Sequence, residues 1–515
     1  MKYALISVSD KTGIAPFAYS LIQLGFTILS TGGTAKILRD AGVKVTDVSD
    51  FTGFPEILDG RVKTLHPLVH AGILNIRNNE EHQKVCREIG INNIDLVAVN
   101  LYPFEETVMK NLSEEGEAFD EIIENIDIGG PALLRSAAKN HLFITVITDA
   151  ADYEKVISEI KSSGDTALET RKMLAAKAFS HTALYDSVIS GWFNRIQNIA
   201  FPYEYTIGGR LASAMRYGEN PHQAAAFYKI PLMTETGVAS AEKLHGKELS
   251  YNNIADIHAS IELAKEFEEP VCIIVKHMNP CGAAAAEDIE KAFDFALAAD
   301  PLSAFGGIVT LNREVTATLA EKLSAIFLEV IIAPSYTPEA LAILKNKKNV
   351  RVMRIDFNNR YTGEQDLKKV TGGFLVQDRD LHRFNSLDGL SVPTKRSPTS
   401  EERKSLSFAW IVAKHVKSNA IVYVSGTRTV GIGAGQMSRV DSAKIGAIKA
   451  QSPISGCVMA SDAFFPFRDS VDEAAERGIT SIISPGGSVR DDEVIAAADS
   501  AGIAMIFTGV RHFRH

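Results

Sequence analysis

Cysteine is scarce in this chain of 515 residues: Cys86, Cys272, Cys281 and Cys457 are scattered and form no CxxC pair. That spacing argues against a disulfide framework or a structural zinc site, and the thiols are expected to be reduced. Long apolar runs are also missing. No window reaches the roughly eighteen uncharged apolar residues of a membrane span. The opening MKYALISVSDKTG reads as a first strand and turn rather than a signal peptide, so a cytoplasmic location is expected. No long basic run offsets the net charge of −9, which makes nucleic acid an unexpected partner while leaving local Arg and Lys clusters free to hold small anions. Neither the Walker pattern nor GxGxxG occurs, so nothing indicates a nucleoside triphosphate or a dinucleotide. What remains is an ordinary globular composition, 45 % apolar and 23 % charged. Its length calls for about two or three cores.

The first 150 residues alternate short apolar strands with helical periods: YALISVS, FTILST at 26–31, IDLVAVN at 94–100 and FITVIT at 143–148. This is a doubly wound α/β pattern, in which ligands gather beyond the carboxyl ends of the strands. Polar or glycine residues follow each strand: Ser9, Asp10, Lys11 and Thr12, then STGGTAK at 30–36, then NLYPF at 100–104. The two glycines of STGGTAKIL open a helix whose N–H groups and dipole suit a phosphate monoester. In RVKTLHP, Arg61, Lys63, Thr64 and His66 add cationic groups and a hydroxyl. In NIDIGGPALLRSAAKNH, Asp127 precedes a Gly-Gly-Pro turn and a helix carrying Arg135 and Lys139. Asp127 and Lys139 reach one ligand only if that helix points across the site.

Helical spacing dominates from Tyr153 to Asn198, where His181 reads as a helix-face histidine. Beyond it, strands recur at VCIIVK, GGIVTL, EVIIAP, VRVMRI, AIVYVS and SIISPGG, with Ala-rich helices between them. Three segments stand out. PVCIIVKHMNPCG, 270–282, reads as a buried strand ending at Lys276 and His277. Like charge and desolvation there favour a neutral, proton-accepting imidazole. RYGENPHQ, Arg216 to Gln223, gathers a guanidinium, a phenol, amides and an imidazole around Gly218 and Pro221, a set suited to an anion and a heteroaromatic ring. SDAFFPFRD, 461–469, sets Phe464, Phe465 and Phe467 beside Arg468 and Asp469, either as a clasp for a flat ligand or as an ordinary core turn. Pro280-Cys281 invites comparison with zinc deaminases. The second cysteine of their PCxxC is here Ala284, and His258-Ala259-Ser260 lacks the glutamate of HxE, so a zinc hydrolase is rejected.

These segments, in order along the whole chain, resemble the bifunctional family that formylates aminoimidazole carboxamide ribonucleotide (AICAR) and closes the formylated product (FAICAR) to inosine monophosphate (IMP). The resemblance implies an α/β chain in three parts. Residues 1–149 are a methylglyoxal-synthase-like cyclohydrolase domain, and 150–205 a helical linker. Residues 206–515 are a formyltransferase of two cytidine-deaminase-like α/β subdomains without zinc, divided near residue 370. For the first site it implies nucleotide contacts from Ser9, Asp10, Lys11, Thr31, Gly32, Gly33, Thr34, Arg61, Thr64, Val99, Asn100, Tyr102, Asp127 and Ile128. Lys139 takes a proton-transfer role, with Lys63 as second candidate. For the second site it places Lys276 and His277 at the transfer centre, with Arg216, Tyr217, Gly306, Glu329, Asn419, Arg439, Phe464 and Arg511 around the nucleotide. Pro466, Phe467 and Asp469 lie in the folate region. Glu329 departs from relatives that carry aspartate there.

The formyl donor implied is 10-formyltetrahydrofolate, with no metal taking part. The ligands are AICAR, FAICAR and folate, with neither nucleic acid nor membrane, and the implied assembly is a homodimer with transfer sites between subunits. Chemically, His277 serves as base for a poorly nucleophilic amine, and Lys276 either tunes it or stabilises the oxyanion, with Asn279 or Asn419 as further donors. A nucleotide-sensing scaffold would have lost groups at 276, 277 or 139, and none is lost. An enzyme with one live half is separated by assaying each step.

Overall fold

In the computed structural model, which describes residues 1–111, 115–361 and 363–515, the chain forms two compact units. The first comprises Met1–Arg210 and Lys229–Met233, the second Leu211–Tyr228 and Thr234–His515.

Five strands, β1 (Lys2–Val8), β2 (Phe26–Ser30), β3 (Val45–Asp47), β4 (Ile94–Asn100) and β5 (Thr145–Ile147), build the first unit's sheet in the order β3-β2-β1-β4-β5. Every pairing is parallel, as expected of strands whose apolar runs are covered on both faces. The order reverses between β1 and β4, leaving a crevice beyond their carboxyl ends. Helices Tyr153–Ser163 and Leu168–Ile196 fall in the stretch expected to be a linker. Their residues Val156, Ile160, Leu174, Ala178 and Trp192 are buried in the same core as Leu5, Ile28 and Val97.

A ribbon of β6 (Arg210–Met215) and β7 (Ala225–Lys229), in the second unit but for the end residues Arg210 and Lys229, precedes that unit's β8 (Glu242–His245), β9 (Val271–Lys276), β10 (Asn279–Ala285), β11 (Gly307–Leu311), β12 (Leu328–Ala333) and β13 (Arg351–Arg354). A hairpin of β14 (Gln365–Val370) and β15 (Gly373–Asp378) occupies the stretch around residue 370. Then come β16 (Ile421–Ser425), β17 (Arg428–Gly433), β18 (Val458–Ser461), β19 (Ser481–Ser484) and β20 (Ala504–Phe507). One eleven-stranded sheet runs β20-β19-β18-β16-β17-β10-β9-β11-β12-β13-β8.

The order is mirrored about the β17–β10 junction. Hairpin β9–β10 answers hairpin β16–β17, and β11, β12, β13 answer β18, β19, β20. The helix before each hairpin, Tyr251–Ala264 or Ser400–Lys414, begins with a capping box, on Ser250 and on Thr399. The second unit is thus two similar α/β subdomains joined through a shared sheet.

Candidate active sites

A cavity of about 650 Å³ lies beyond β1, β2 and β4, at the crevice the strand order creates. Two helices start at its wall, Gly32–Asp40 and Gly129–Lys139, so unpaired N–H groups and two positive dipole ends converge on it. Lys11, Arg61 and Lys63 add cationic side chains. Arg61 is paired with Glu124 at the rim, and Lys63 lies 3.7 Å from Glu56. Glycine is required at the second helix start. A Cβ on Gly129 would lie 2.9 Å from Thr64 Oγ1, and one on Gly130 would collide with the Asp127 carboxylate.

Asp127 Oδ1 accepts the Gly130 N–H at 2.7 Å, and the Asp127 N–H donates to Tyr185 Oη at 2.9 Å. Burial lifts the Asp127 carboxyl above the usual range, against the opposing pull of the Gly130 and Tyr102 N–H groups and of Lys63. Asn100 works as a clamp rather than as a free ligand group. Its Oδ1 accepts the N–H groups of Ser9 and Asp10, and its Nδ2 donates to Asp10 O.

The second unit presents Lys276 and His277 where β9 ends. β9 and β10 are antiparallel and joined by the two-residue turn His277-Met278, whose φ angles are 53° and 62°. Lys276 Nζ donates to Phe305 O at 2.6 Å, and Gly306 follows at φ 71°, where a Cβ would lie 3.8 Å from that Nζ. His277 is exposed in the single chain. Lys276, His277, Asn279 and Gln436 line one cavity of about 310 Å³. Asn419 and Arg439 meet beside it: Arg439 donates to Asn419 Oδ1 at 2.7 Å and to Ser461 Oγ at 2.9 Å, pairs with the buried Asp462, and Asn419 Nδ2 donates to Gln436 O.

The description "AICARFT/IMPCHase bienzyme" fits residues 137–449 and "MGS-like domain" fits residues 13–132. Among curated relatives, the Bifunctional purine biosynthesis protein PurH of Bacillus subtilis (strain 168) is 52 % identical over 515 residues, covering 100 % of both chains. Its namesake from Persephonella marina is 54 % identical over 519 residues, covering 99 % of each. The chain belongs to the AICARFT/IMPCHase bienzyme family. A solved structure titled "Crystal structure of ForH" is 36 % identical, covers 37 % of this chain and 98 % of that one, and superposes with a TM-score of 0.33.

Of the residues expected at the first site of this AICARFT/IMPCHase chain, Ser9, Lys11, Thr31, Gly32, Gly33, Thr34, Arg61, Lys63, Thr64, Val99, Asn100, Tyr102, Asp127 and Ile128 line the cavity. Asp10 and Lys139 do not. Asp10 turns to Thr12, whose hydroxyl and N–H hydrogen bonds hold the carboxyl below its usual range. Lys139 is the exposed last residue of the helix whose first turn lines the cavity, about 15 Å away along the axis. The sequence left open which way this helix points, and it points away. Asp59, Gly60, Glu124 and Leu133 also line the cavity and were missed, for they carry no motif of their own.

At the second site Asn279, expected as an oxyanion donor, is a structural tie. Its Nδ2 donates to His277 O at 3.3 Å and its Oδ1 accepts the Lys417 N–H at 2.9 Å. Glu329 is paired with Arg351. Phe465 alone of its trio is buried, and Phe464 and Phe467 are 39 % and 50 % exposed. Pro466, Asp469 and Arg511 are exposed, with Arg490 over the Phe467 ring and Arg511 over Phe513. Arg216 is exposed over Tyr217 on a loop whose Glu219 O accepts from Asn252, and neither residue lines the Lys276 cavity. Among the described residues, no three His, Cys, Asp or Glu side chains cluster as metal ligands would, and no helix is long and apolar enough to cross a membrane.

Proposed function

We propose that the first unit closes FAICAR to IMP and the second transfers a formyl group to the 5-amino group of AICAR. The chain is a bifunctional purine-biosynthesis enzyme acting in the last two steps of IMP formation. The observation that carries the division of labour is that each compact unit holds its own lysine-bearing cleft.

Ring closure joins the carboxamide nitrogen to the formyl carbon of the same molecule and expels water. Holding the two groups face to face supplies about 7 to 11 kcal/mol of such a barrier. The nucleotide phosphate sits against the converging helix starts, which fixes the rest of the molecule over Asp127 and Lys63. Lys63 donates a proton toward the departing oxygen, and Asp127, raised by burial, takes the proton of the attacking nitrogen. Lys63 rather than Lys139 is favoured because it faces the cleft.

In the second unit His277 takes the proton of the attacking amine and returns it to the leaving nitrogen, while Lys276 stabilises the oxygen that gains charge. The formyl group arrives on 10-formyltetrahydrofolate as second substrate. The partly exposed rings of Phe464 and Phe467, the latter with Arg490 over it, and the exposed Asp469 two residues on suit a flat heteroaromatic ring that carries N–H donors.

A homodimer with transfer sites between subunits accounts for Arg216 and Tyr217 standing apart from the Lys276 cavity within one chain. Leu367, Val370 and Leu375, exposed by 40 %, 41 % and 60 % on the β14–β15 hairpin, offer apolar surface for such a contact. A cytoplasmic location is supported by four unpaired cysteines, three of them buried.

The test supplies AICAR and 10-formyltetrahydrofolate and follows tetrahydrofolate and IMP together, with His277→Ala in parallel. Both products are expected from the wild type, and IMP alone from the variant when FAICAR is supplied. Wild-type protein that yields no tetrahydrofolate would overturn the transferase assignment.

A further inference from the structure

The turn that presents His277 takes two positive φ angles without a glycine. His277 and Met278 both lie in the left-handed region, which side-chain-bearing residues avoid unless something holds them there. The holder is on the preceding helix, Tyr251–Ala264. Asp256 Oδ2 accepts the His277 N–H at 3.2 Å, and its Oδ1 accepts the Met278 N–H at 2.7 Å. One carboxylate thereby spans both residues of the turn from below, while Lys276 Nζ is fixed to Phe305 O.

The second copy of the subdomain serves as an internal control. Its hairpin β16–β17 turns through Gly426 and Thr427, with Gly426 at φ 61° and Thr427 outside the left-handed region. Glycine adopts that conformation without help. Counting from the capping residues Ser250 and Thr399, the position equivalent to Asp256 is Ser405. Its Oγ donates to Glu401 O at 3.0 Å, within its own helix, and makes no bond to the turn. Where the turn carries a histidine the chain supplies a carboxylate clamp, and where it carries glycine the clamp is absent.

We propose that Asp256 is a positioning residue for formyl transfer, holding the His277–Met278 turn in its left-handed form so that the imidazole is aimed at the acceptor amine. Both carboxylate oxygens are directed at main-chain N–H groups, so Asp256 acts through His277 rather than on substrate. The inference rests on the assignment of Lys276 and His277 to the transfer centre.

The test compares full-length Asp256→Ala, Asp256→Asn, His277→Ala and the Asp256→Ala/His277→Ala pair, measuring formyl transfer, FAICAR cyclisation and thermal unfolding. Misaiming the base is expected to lower transferase kcat about 100-fold in Asp256→Ala. The KM for AICAR should move by less than about threefold, since a transition-state interaction is lost rather than uniform binding. Asp256→Asn, which keeps the volume and one acceptor, should lose less, and cyclisation should be unchanged in all four. Adding Asp256→Ala to His277→Ala should cost nothing further, because the clamp has no other route to the chemistry. Losses that multiply in the double variant, or a transferase kcat in Asp256→Ala within about threefold of wild type, would overturn the inference. If His277→Ala itself transfers formyl at the wild-type rate, the assignment of the transfer centre fails. If only Asp256→Ala is silent, that assignment stands and the clamp alone is wrong.

Discussion

Asp127 carries two demands that pull against each other. Three groups favour its ionised form, the Gly130 and Tyr102 N–H groups and Lys63, yet burial outweighs them and the carboxyl titrates above its usual value. The folded unit then holds a proton that the unfolded chain has already lost. The contribution of this one group to stability is therefore fullest below the unfolded pKa, about 3.9, and is lost as pH rises from there through the raised folded value. Neutralising the group removes that cost. Asp127→Asn is expected to abolish FAICAR cyclisation while leaving the thermal midpoint at pH 7 unchanged or higher, the usual trade between stability and activity at a working site. A midpoint several degrees lower would show that the carboxylate is there to hold the Gly129-Gly130 turn. The place of Asp127 at the cavity was legible because an acid beside a Gly-Gly-Pro turn has a local signature. The place of Lys139 was not legible for the complementary reason, since spacing along a helix records distance from its start but not direction relative to a cavity.

Helix-to-strand contact explains which elements the sequence hid. β9, β11, β12, β13, β16 and β19 were legible as apolar runs, whereas β10 (NPCGAAA) and β17 (RTVGIG) lack the β-branched density that marks a strand. Their small residues answer to packing. A Cβ on Gly282 would collide with Ala296 O in helix Ile289–Ala299, and one on Gly431, its counterpart in the second copy, with Gly446 O in helix Arg439–Lys449. Each hairpin's second strand is thus kept bare so that the next helix lies directly on it. Gly282→Ala should force that helix outward and destabilise the second unit by about 1 to 3 kcal/mol, the range for overpacking a filled interior. Chemical denaturation of wild type and variant checks it, and an unchanged midpoint would mean the helix shifts freely. Since β10 carries Asn279, which ties His277 O to the Lys417 N–H, transferase activity should fall with the packing.

At the scale of the molecule, the two units have separate cores, and the lysine-bearing cleft of each is lined by its own residues. The α/β character and the two-site organisation were legible because strand-end polar clusters recur in both halves. The mirrored order of the large sheet was not, because strand neighbours are set by long-range pairing that no local pattern encodes. Separate clefts make a prediction about traffic between the steps. Lys63→Met should lower cyclisation by about 100- to 10,000-fold, the range for losing a general acid or base, with formyl transfer intact, and His277→Ala should do the reverse. Neither variant alone makes IMP from AICAR and 10-formyltetrahydrofolate at an appreciable rate. An equimolar mixture should do so after a lag, because FAICAR released by the Lys63→Met protein is a complete substrate for the cyclohydrolase of the His277→Ala protein. The lag should shorten as the His277→Ala protein is raised at constant Lys63→Met, since the waiting time is then set by encounter with a free cleft. A mixture that stays inactive while each variant retains its own half-reaction would mean FAICAR does not leave the chain that makes it, and the two clefts would have to be treated as one continuous site.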